Sequence, residues 1–457
     1  MRIVLTGLRG TGKTSVGAAL AALYNLPLID TDGLIEEEAG TSIPEIFTAE
    51  GEEGFRRREE QVIATLPAGP AVISTGGGVL LDQRNLVALR RRSTMVLLTA
   101  DVETLYQRTS DSDRPPLSGE PLYEEIRAVA TARKNLYRAA ADLSVDTTGK
   151  EPGTVALEIR ALLTETWKTG PRAGALSFLL SANPAETEME ALAADLNNNP
   201  GLGLCAIAGF PASHSISPQV YAALFARFNL DYRYTRIEWP SVPEIIAAFR
   251  VGRLRGLSVT IPFKEQVIPL LDTVDTDAEA IGAVNTVVRC GDELAGFNTD
   301  WLGVSAPLQQ HRGERAVLIG AGGAAAAAAY ALKSLGMDLT ILNRTEERGR
   351  ALAARFDCST APLSSFRDLV PEIVVHATPV GMHPDTGTLL SREDLDEGMT
   401  VFDLVYTPQM TPLLVEAQAA GSQIIPGTEM FVHQACAQFR HFTGIRVSPD
   451  LVREVIR

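Results

Sequence analysis

The amino-acid sequence predicts an α/β protein with at least two cores, and three observations carry that expectation. Short β-rich runs alternate with helical patterns along most of the chain, the mark of parallel sheets with crossover helices. Two glycine-rich loops, one in each half, each follow an apolar strand and open a helix, and their patterns differ enough to imply different ligands. The length of 457 residues exceeds the ~100 to 200 residues of one compact domain.

Composition narrows the class. Apolar residues make up 45% and charged residues 21%, the range of ordinary globular proteins and far from disordered chains. A net charge of 41 − 56 = −15 repels polyanions, which excludes nucleic acid and an acidic membrane as main partners while leaving room for local basic pockets. Cys205, Cys290, Cys358 and Cys436 stand more than 60 residues apart with no CxxC, so they read as reduced thiols of an intracellular protein rather than a zinc knuckle or disulfide frame. Met1 runs directly into an apolar strand with no signal-peptide pattern, and the longest small-apolar run, Ala324 to Ala329, falls well short of the ~20 residues of a membrane helix. The expected location is the cytoplasm.

From residue 1 to about 167, the runs Ile3-Val4-Leu5, Leu28-Ile29, Ala71-Val72-Ile73 and Met95-Val96-Leu97-Leu98 read as strands of one parallel-sheet domain. Residues 168–200 change texture: Gly170-Pro171, Asn183-Pro184 and Asn197 to Pro200 punctuate an acidic stretch, Glu186 to Asp195. That segment is expected to be a linker with a short helix, in which the apolar residues Leu176 to Leu180 dock on a neighbour. Alternation resumes in two lobes, 201–308 and 309–429, the second built on the later glycine loop with strands near 339–342, 373–375 and 401–404.

Gly7-Leu8-Arg9-Gly10-Thr11-Gly12-Lys13-Thr14 satisfies G-x-x-x-x-G-K-[ST] between a strand and a helix. Gly7, Gly10, Thr11 and Gly12 let backbone N–H groups curl around phosphate oxygens, Lys13 offers charge to the β/γ-phosphates, and Thr14 offers a hydroxyl to Mg²⁺. Asp30 and Asp32 close the second strand, at the end of a parallel sheet where sites open. Further on come Gly51 to Arg56, Ser74-Thr75-Gly76-Gly77-Gly78, Asp113-Arg114-Pro115-Pro116-Leu117, and Arg133 with Tyr137. The triple Arg90-Arg91-Arg92 reads as a solvated helix end.

Taken in this order and spacing, these motifs resemble shikimate kinase over the N-terminal domain. The resemblance implies that Asp32 holds and deprotonates the shikimate hydroxyl, that Asp30 joins Thr14 around Mg²⁺, and that Arg56, Arg133 and the Gly76, Gly77, Gly78 loop bind substrate. It implies Lys13 as a catalytic charge and Arg114 as a lid arginine that closes over the phosphoryl group. Guanidinium forks grip a carboxylate with two prongs, which suits a small anionic acid.

In the second half, Gly320-Ala321-Gly322-Gly323-Ala324-Ala325 fits the dinucleotide pattern G-x-G-x-x-A after the strand Ala316 to Ile319. The next strand ends in Asn343-Arg344-Thr345, with Arg348 beyond, where an NAD site places an acid; arginines suit a 2′-phosphate and hence NADP. Glu346 and Glu347 dilute that charge. Ser213 to Pro218, Ser258-Val259-Thr260-Ile261-Pro262-Phe263-Lys264, Gly282-Ala283-Val284-Asn285-Thr286, Asn298-Thr299-Asp300, Asp403 to Tyr406 and Gln434 form a polar constellation.

This order resembles shikimate dehydrogenase over residues 201–457. The resemblance implies a substrate-binding lobe, 201–308, completed by a C-terminal helix at about 430–457, and a Rossmann NADP-binding lobe, 309–429. Lys264 and Asp300 become the catalytic pair, with Ser215, Ser217, Thr260, Asn285, Tyr406 and Gln434 on the substrate and Thr378 and Gly427 on the cofactor. His214 and His376 read as structural, and no histidine spacing suggests a metal. Ser258 and His376 stand where the family usually has Asn, and the alanine run lacks an arginine often found after the glycine loop.

The two resemblances together imply a bifunctional enzyme using ATP, Mg²⁺ and NADP(H), which reduces 3-dehydroshikimate to shikimate and phosphorylates shikimate at the 3-hydroxyl. A kinase joined to a quinate/shikimate dehydrogenase, and a non-catalytic sensor, are the alternatives. The partners are small molecules, with an oligomer possible, and the two halves are expected to separate between about 169 and 201.

Overall fold

A computed structural model describes residues 2–91, 93–110, 121–164, 170–182, 186–199, 202–252 and 254–456. The N-terminal sheet contains β1 (Arg2–Thr6), β2 (Leu28–Asp30), β3 (Ala71–Ser74), β4 (Thr94–Thr99) and β5 (Leu143–Asp146) in the order β2-β3-β1-β4-β5, all parallel. Strands β1, β3 and β4 are covered on both faces, which is why they read as unbroken apolar runs rather than alternating ones. The chain order reverses between β3 and β4 on either side of β1, so the crevice at the carboxyl end of β1 is where a ligand site is expected. The first glycine loop leaves β1 at that point and leads into the helix Lys13–Tyr24.

Residues 170–198 hold two helices, Gly170–Ser181 and Glu186–Asn198, in place of the linker with one short helix. Leu176, Leu179, Leu192 and Leu196 are buried, and Phe178 packs edge-on against Trp239 with ring centroids 5.3 Å apart. The Glu238 N–H donates to Ala182 O (2.7 Å), and Arg233 pairs with Asp195 (2.7 Å). The apolar run that signalled docking is the buried face of a helix pair, so a cut at residue 201 removes part of a core.

A second sheet holds β6 (Gly203–Gly209), β7 (Tyr232–Glu238), β8 (Gly256–Val259), β9 (Thr273–Val274), β10 (Thr286–Cys290) and β11 (Glu293–Phe297), ordered β7-β6-β8-β10-β11-β9. A third holds β12 (Arg315–Ile319), β13 (Asp338–Leu342), β14 (Ser359–Ala361), β15 (Ile373–His376), β16 (Thr400–Asp403) and β17 (Gln423–Ile425), ordered β14-β13-β12-β15-β16-β17 and parallel throughout. Its order reverses beside β12, and the second glycine loop leaves there. The alanine run lies in the helix Gly323–Ser334, where Ala325 to Ala329 are all buried. Small side chains let this helix lie close to its neighbours in the core.

The chain divides into two compact units: Met1–Leu257 with Val288–Leu294 and Phe439–Arg446, and Ser258–Val287 with Ala295–Gln438 and Val447–Arg457. The N-terminal sheet, the helix pair and strands β6 and β7 thus fall in one unit, a different division from the boundaries expected. Within it Arg90 is buried, pairs with Asp142 (3.1 Å), and donates to Tyr232 Oη; Arg91 is exposed, and Arg92 lies outside the described residues. Arg90 is therefore not part of a solvated run. Among the described residues no helix is long and apolar enough to cross a membrane, no cluster of three or more His, Cys, Asp or Glu is arranged to hold a metal, and the four cysteines are free thiols.

Leu179→Ala should cost about 2 to 5 kcal/mol, the range for emptying a buried leucine site. Urea unfolding followed by tryptophan fluorescence, with Trp239 beside Phe178, measures it; an unshifted midpoint would show that the helix pair contributes nothing to the unit.

Candidate active sites

In the first unit, the loop after β1 is shaped by glycines at positive φ: Gly7 at 147°, Gly10 at 85° and Gly12 at 83°. A Cβ on Gly7 would lie 2.3 Å from Leu98 O, so no other residue fits. Thr11 Oγ1 donates to Leu8 O (2.8 Å) and steadies the turn. Lys13 Nζ reaches back to Gly7 O (3.0 Å) and Leu8 O (2.9 Å), which holds its ammonium over the loop. Thr14 Oγ1 donates to Asp30 Oδ2 (2.8 Å), while Asp30 Oδ1 accepts from the Asp32 N–H (3.0 Å) and caps the helix Thr31–Ala39. A hydroxyl beside a carboxylate at a phosphate loop is the hard-oxygen donor set that Mg²⁺ takes, so these residues fit the ion.

Beyond the loop lies a cavity of about 270 Å³, lined by Arg9, Asp32, Arg56, Glu59, Gly76, Gly77, Gly78 and Arg133 with apolar Phe47, Phe55, Ile126 and Val129. A Cβ on Gly76 would lie 2.7 Å from Asp32 Oδ1, and one on Gly78 would lie 2.5 Å from Arg56 Nη2; the glycines make room for the side chains that face them. Arg56 is held by Glu59 (2.9 Å) and Glu52 (3.3 Å) on its own helix, Ile43–Thr65. Burial pushes the Glu59 carboxyl up, against the pull of Arg56. Arg133 Nη1 (2.8 Å) and Tyr137 Oη (2.5 Å), one turn apart on the helix Leu122–Ala140, both donate to Gly77 O. Burial raises the Tyr137 hydroxyl to about 12, so it remains a donor.

The structure thus gathers Asp32, Arg56, Arg133 and the three glycines around one cavity next to the phosphate loop. Arg114, with the run Asp113 to Leu117, lies outside the described residues. Sequence reasoning missed Glu59, whose signal was its i,i+3 spacing from Arg56. It missed Arg108 as well, which bonds Gly10 O (3.3 Å) and Thr147 and ties the loop to the end of β5. Ser215 and Ser217 belong to this unit too: the Ser217 N–H donates to Ser215 Oγ (3.2 Å), and Arg236 holds Ser215 O (2.9 Å). His214 is exposed.

In the second unit, Lys264 Nζ donates to Asp300 Oδ2 at 2.6 Å, with side-chain exposures of 17% and 6%. The other Asp300 oxygen accepts from Asn285 Nδ2 (2.8 Å), and the Asp300 N–H donates to Asn298 Oδ1 (3.0 Å). Asn285 is locked in turn: its Oδ1 accepts from the Thr299 N–H (2.8 Å) and the Thr286 hydroxyl (2.7 Å). Lys264 is aimed by its own backbone, since Lys264 O accepts from the Val284 N–H (2.8 Å). A Cβ on Gly323 would lie 3.9 Å from Lys264 Cδ, which puts the second glycine loop beside the pair.

Gln438, missed in the sequence, completes the support. Its Nε2 donates to Thr286 Oγ1 (2.9 Å) and Asn285 O (3.1 Å), and its Oε1 accepts from Ser258 Oγ (2.8 Å). Thr260 and Gln434 are half-buried, and Tyr406 packs against Phe431 with centroids 5.8 Å apart. His376, the last residue of β15, is buried beside β16: its Nδ1 bonds Asp403 (2.9 Å) and its Nε2 bonds Thr378 Oγ1 (2.5 Å), so it orients the threonine expected at the cofactor. Gly320 has φ 129°, and a Cβ on Gly427 would lie 2.4 Å from Val405 O, so both need glycine. Gly322 and Ala324 continue the turn into the helix. Arg344 and Arg348 are exposed and make no ion pair among the described residues, whereas Glu346 pairs with Arg350 (3.5 Å). Asn343 Nδ2 donates to Thr345 O (2.8 Å), shaping that corner. The exposed Arg344 and Arg348 at this corner are donors that fit a dinucleotide carrying a 2′-phosphate.

Comparison with known proteins places both parts of the chain among enzymes that act on shikimate. The shikimate kinase family matches residues 9–164. The shikimate dehydrogenase substrate binding domain matches 207–287, the shikimate / quinate 5-dehydrogenase family matches 304–399, and the shikimate 5'-dehydrogenase C-terminal domain matches 427–457. A shikimate dehydrogenase (NADP(+)) of Syntrophobacter fumaroxidans is 40% identical over 243 residues, 51% of this chain and 85% of that protein. One from Natronomonas pharaonis is 42% identical over 260 residues, 54% of this chain and 96% of that one. The crystal structure of the Thermus thermophilus shikimate 5-dehydrogenase in complex with NADP(H) and shikimate covers 56% of this chain and 98% of its own, at 34% identity and a TM-score of 0.53. The chain therefore belongs to the shikimate dehydrogenase family through its C-terminal part and carries a shikimate kinase domain ahead of it, which makes it a bifunctional enzyme of the shikimate pathway.

Proposed function

We propose that the C-terminal part reduces 3-dehydroshikimate to shikimate with NADPH and that the N-terminal domain transfers the γ-phosphoryl group of MgATP to the shikimate 3-hydroxyl. The observation that carries the reading is the Lys264–Asp300 contact of 2.6 Å, held from behind by Asn285 and set beside a dinucleotide loop. NADPH, when bound, supplies the hydride. Lys264 moves the proton at the substrate oxygen: one ammonium N–H is bonded to Asp300, leaving two further donors to meet that oxygen. Asp300 orients the ammonium and shares the proton's path. Within the second unit, Thr260, Asn285, Tyr406 and Gln434 are the substrate contacts of this reading. Gly320, Ala321, Gly322, Gly323 and Ala324 meet the pyrophosphate, Arg344 and Arg348 the 2′-phosphate, and Thr378 and Gly427 the nicotinamide end.

In the kinase site, Arg56 and Arg133 grip the substrate carboxylate, and Asp32 holds the hydroxyl that attacks. Thr14 and Asp30 would hold Mg²⁺, which neutralises phosphate charge, while Gly7, Gly10, Thr11, Gly12 and Lys13 cradle the phosphates. Arg114 closes over the transferring group in this reading. The location is the cytoplasm, in keeping with four free thiols. The solved quinate dehydrogenase of Corynebacterium glutamicum in complex with NAD is 30% identical over 56% of this chain, with a TM-score of 0.53, so quinate is the control substrate for the dehydrogenase; Arg344 and Arg348 at the β13 end, with no ion pair among the described residues, favour NADPH over NADH.

Lys264→Ala and Asp300→Asn should each lower dehydrogenase kcat by about 10²-fold or more, the range for lost acid–base catalysis, with phosphorylation unchanged. Near-normal NADPH oxidation in both would reject the pair. Lys13→Ala should abolish ATP-dependent phosphorylation of shikimate and spare NADPH oxidation; equal loss of both activities in a protein still folded by circular dichroism would sink the two-site reading. Arg344→Ala should raise KM for NADPH far more than for NADH, because only NADPH has a 2′-phosphate to meet the guanidinium. Parallel changes for the two cofactors would mean that Arg344 does not read that group.

A further inference from the structure

The helix Leu122–Ala140 presents Arg133 and Tyr137 to the carbonyl of Gly77 in the wall of the kinase cavity. The last four carbonyls of any helix lack partners within it, and here all four are met at its far end. Tyr137 O accepts from the Ala141 N–H (3.1 Å), and Ala140 O from Arg90. Arg138 O (3.2 Å) and Ala139 O (2.5 Å) both accept from Nη2 of Arg255, a residue of the dehydrogenase part that immediately precedes β8. Arg255 is buried and fixed by its own bonds: its backbone N–H donates to Leu204 O (2.7 Å) and its Nε to Phe442 O (3.2 Å). Arg90 is tied across as well, through Tyr232 of β7, whose hydroxyl also bonds Asp142 (3.0 Å). All these residues lie within one compact unit.

We propose that Arg255 is a positioning residue for the kinase reaction: the dehydrogenase part grips the end of the helix Leu122–Ala140 and so sets where Arg133 stands in the shikimate pocket and where the buried Tyr137 holds Gly77 O in its wall. A guanidinium that meets two successive carbonyls fixes both the axial position and the rotation of a helix, as a single contact does not. Arg133 lies six residues before Ala139, about 9 Å along the axis at 1.5 Å per residue, and a hydrogen-bonded helix carries a shift at one end to the other. Slippage there moves Arg133 off Gly77 O without touching the phosphate loop. The consequence is specific: release of the clamp weakens shikimate binding and leaves ATP binding alone.

The inference rests on the shikimate-kinase reading, and the test separates the two. In the full chain, Arg255→Met and Arg255→Lys are compared for shikimate phosphorylation and for NADPH oxidation with 3-dehydroshikimate. Arg255→Met should raise the shikimate KM by about tenfold or more, the scale of a sub-ångström to ångström misplacement of a binding group, with the MgATP KM and dehydrogenase kcat within about twofold of wild type. Arg255→Lys, which keeps a cation at the carbonyls, should recover most of that loss. A merely structural role would lower both kcat values in step with the folded fraction and leave KM untouched, and that result overturns the proposal, as does an unchanged shikimate KM in folded Arg255→Met. Should Arg255→Met not fold, Tyr232→Phe, which removes one hydroxyl from the Arg90 contact without emptying its site, decides by the same measure: a smaller rise in shikimate KM supports the clamp and no change defeats it. A wild-type chain that does not phosphorylate shikimate brings down the kinase reading instead.

Discussion

Asp300 is a buried carboxylate, and the geometry around Lys264 depends on how its charge is matched. Only 5% of it is exposed, so an unpartnered oxygen there would cost several kcal/mol. Each oxygen has a donor: Lys264 on one, Asn285 on the other. That requirement propagates outwards. Asn285 must turn its amide N–H to Asp300, so its carbonyl oxygen must be satisfied by Thr299 and Thr286; Thr286 in turn is met by Gln438, and Gln438 by Ser258. A chain of satisfied donors and acceptors sets the rotamer of each member, and so the Lys264 ammonium is held in place from behind Asn285 by Thr286, Gln438 and Ser258.

The cavity beside the phosphate loop solves the opposite problem, which is to hold Arg56 and Arg133 in one wall. Arg56 is paired with Glu59 and Glu52, and Arg133 is held by a hydrogen bond to the carbonyl oxygen of Gly77. Each guanidinium has donors beyond those it uses in these contacts, since the fork carries five N–H groups. The glycines at 76, 77 and 78 are needed for reach rather than for flexibility: side chains at 76 and 78 would displace Asp32 and Arg56. Glu59 is the cost of this arrangement, a buried carboxylate pushed up by burial and retained to orient its arginine.

What was legible in the sequence is what the backbone dictates locally. Both glycine loops could be read because a phosphate or pyrophosphate turn needs positive φ and close approach at fixed spacing, and Gly7 and Gly320 show that need. Lys264 and Asp300 were singled out through the resemblance to shikimate dehydrogenase, which rests on the order of the short motifs around them. Gln438 and Asn285, 153 residues apart, and Arg255 and Ala139, 116 apart, were not, because nothing in a helix or strand pattern says which distant carbonyl a side chain will find. Arg90 illustrates the failure most clearly. Three arginines at a helix end read as solvated, and base rates favour that reading, yet the first of them is buried by an ion pair and a phenol supplied from 142 residues away.

The two departures from the usual family pattern show how far a network tolerates substitution. Ser258 replaces an amide with a shorter hydroxyl, but a hydroxyl still donates to Gln438, so the carbonyl end of that glutamine stays satisfied and its N–H groups stay aimed at Thr286 and Asn285. His376 replaces an amide with a ring that has one nitrogen on each side. One meets Asp403 and the other Thr378, while Asp403 also accepts from Thr411 and from the Val405 N–H. If Nδ1 carries the proton towards the carboxylate, Nε2 is left as an acceptor and the Thr378 hydroxyl must donate to it. The threonine lone pairs then face away from the ring, towards the Val380 N–H, which donates to them (3.3 Å), and towards whatever lies beyond. A substitution remote from the Lys264–Asp300 pair therefore decides which hydrogen-bonding face Thr378 presents.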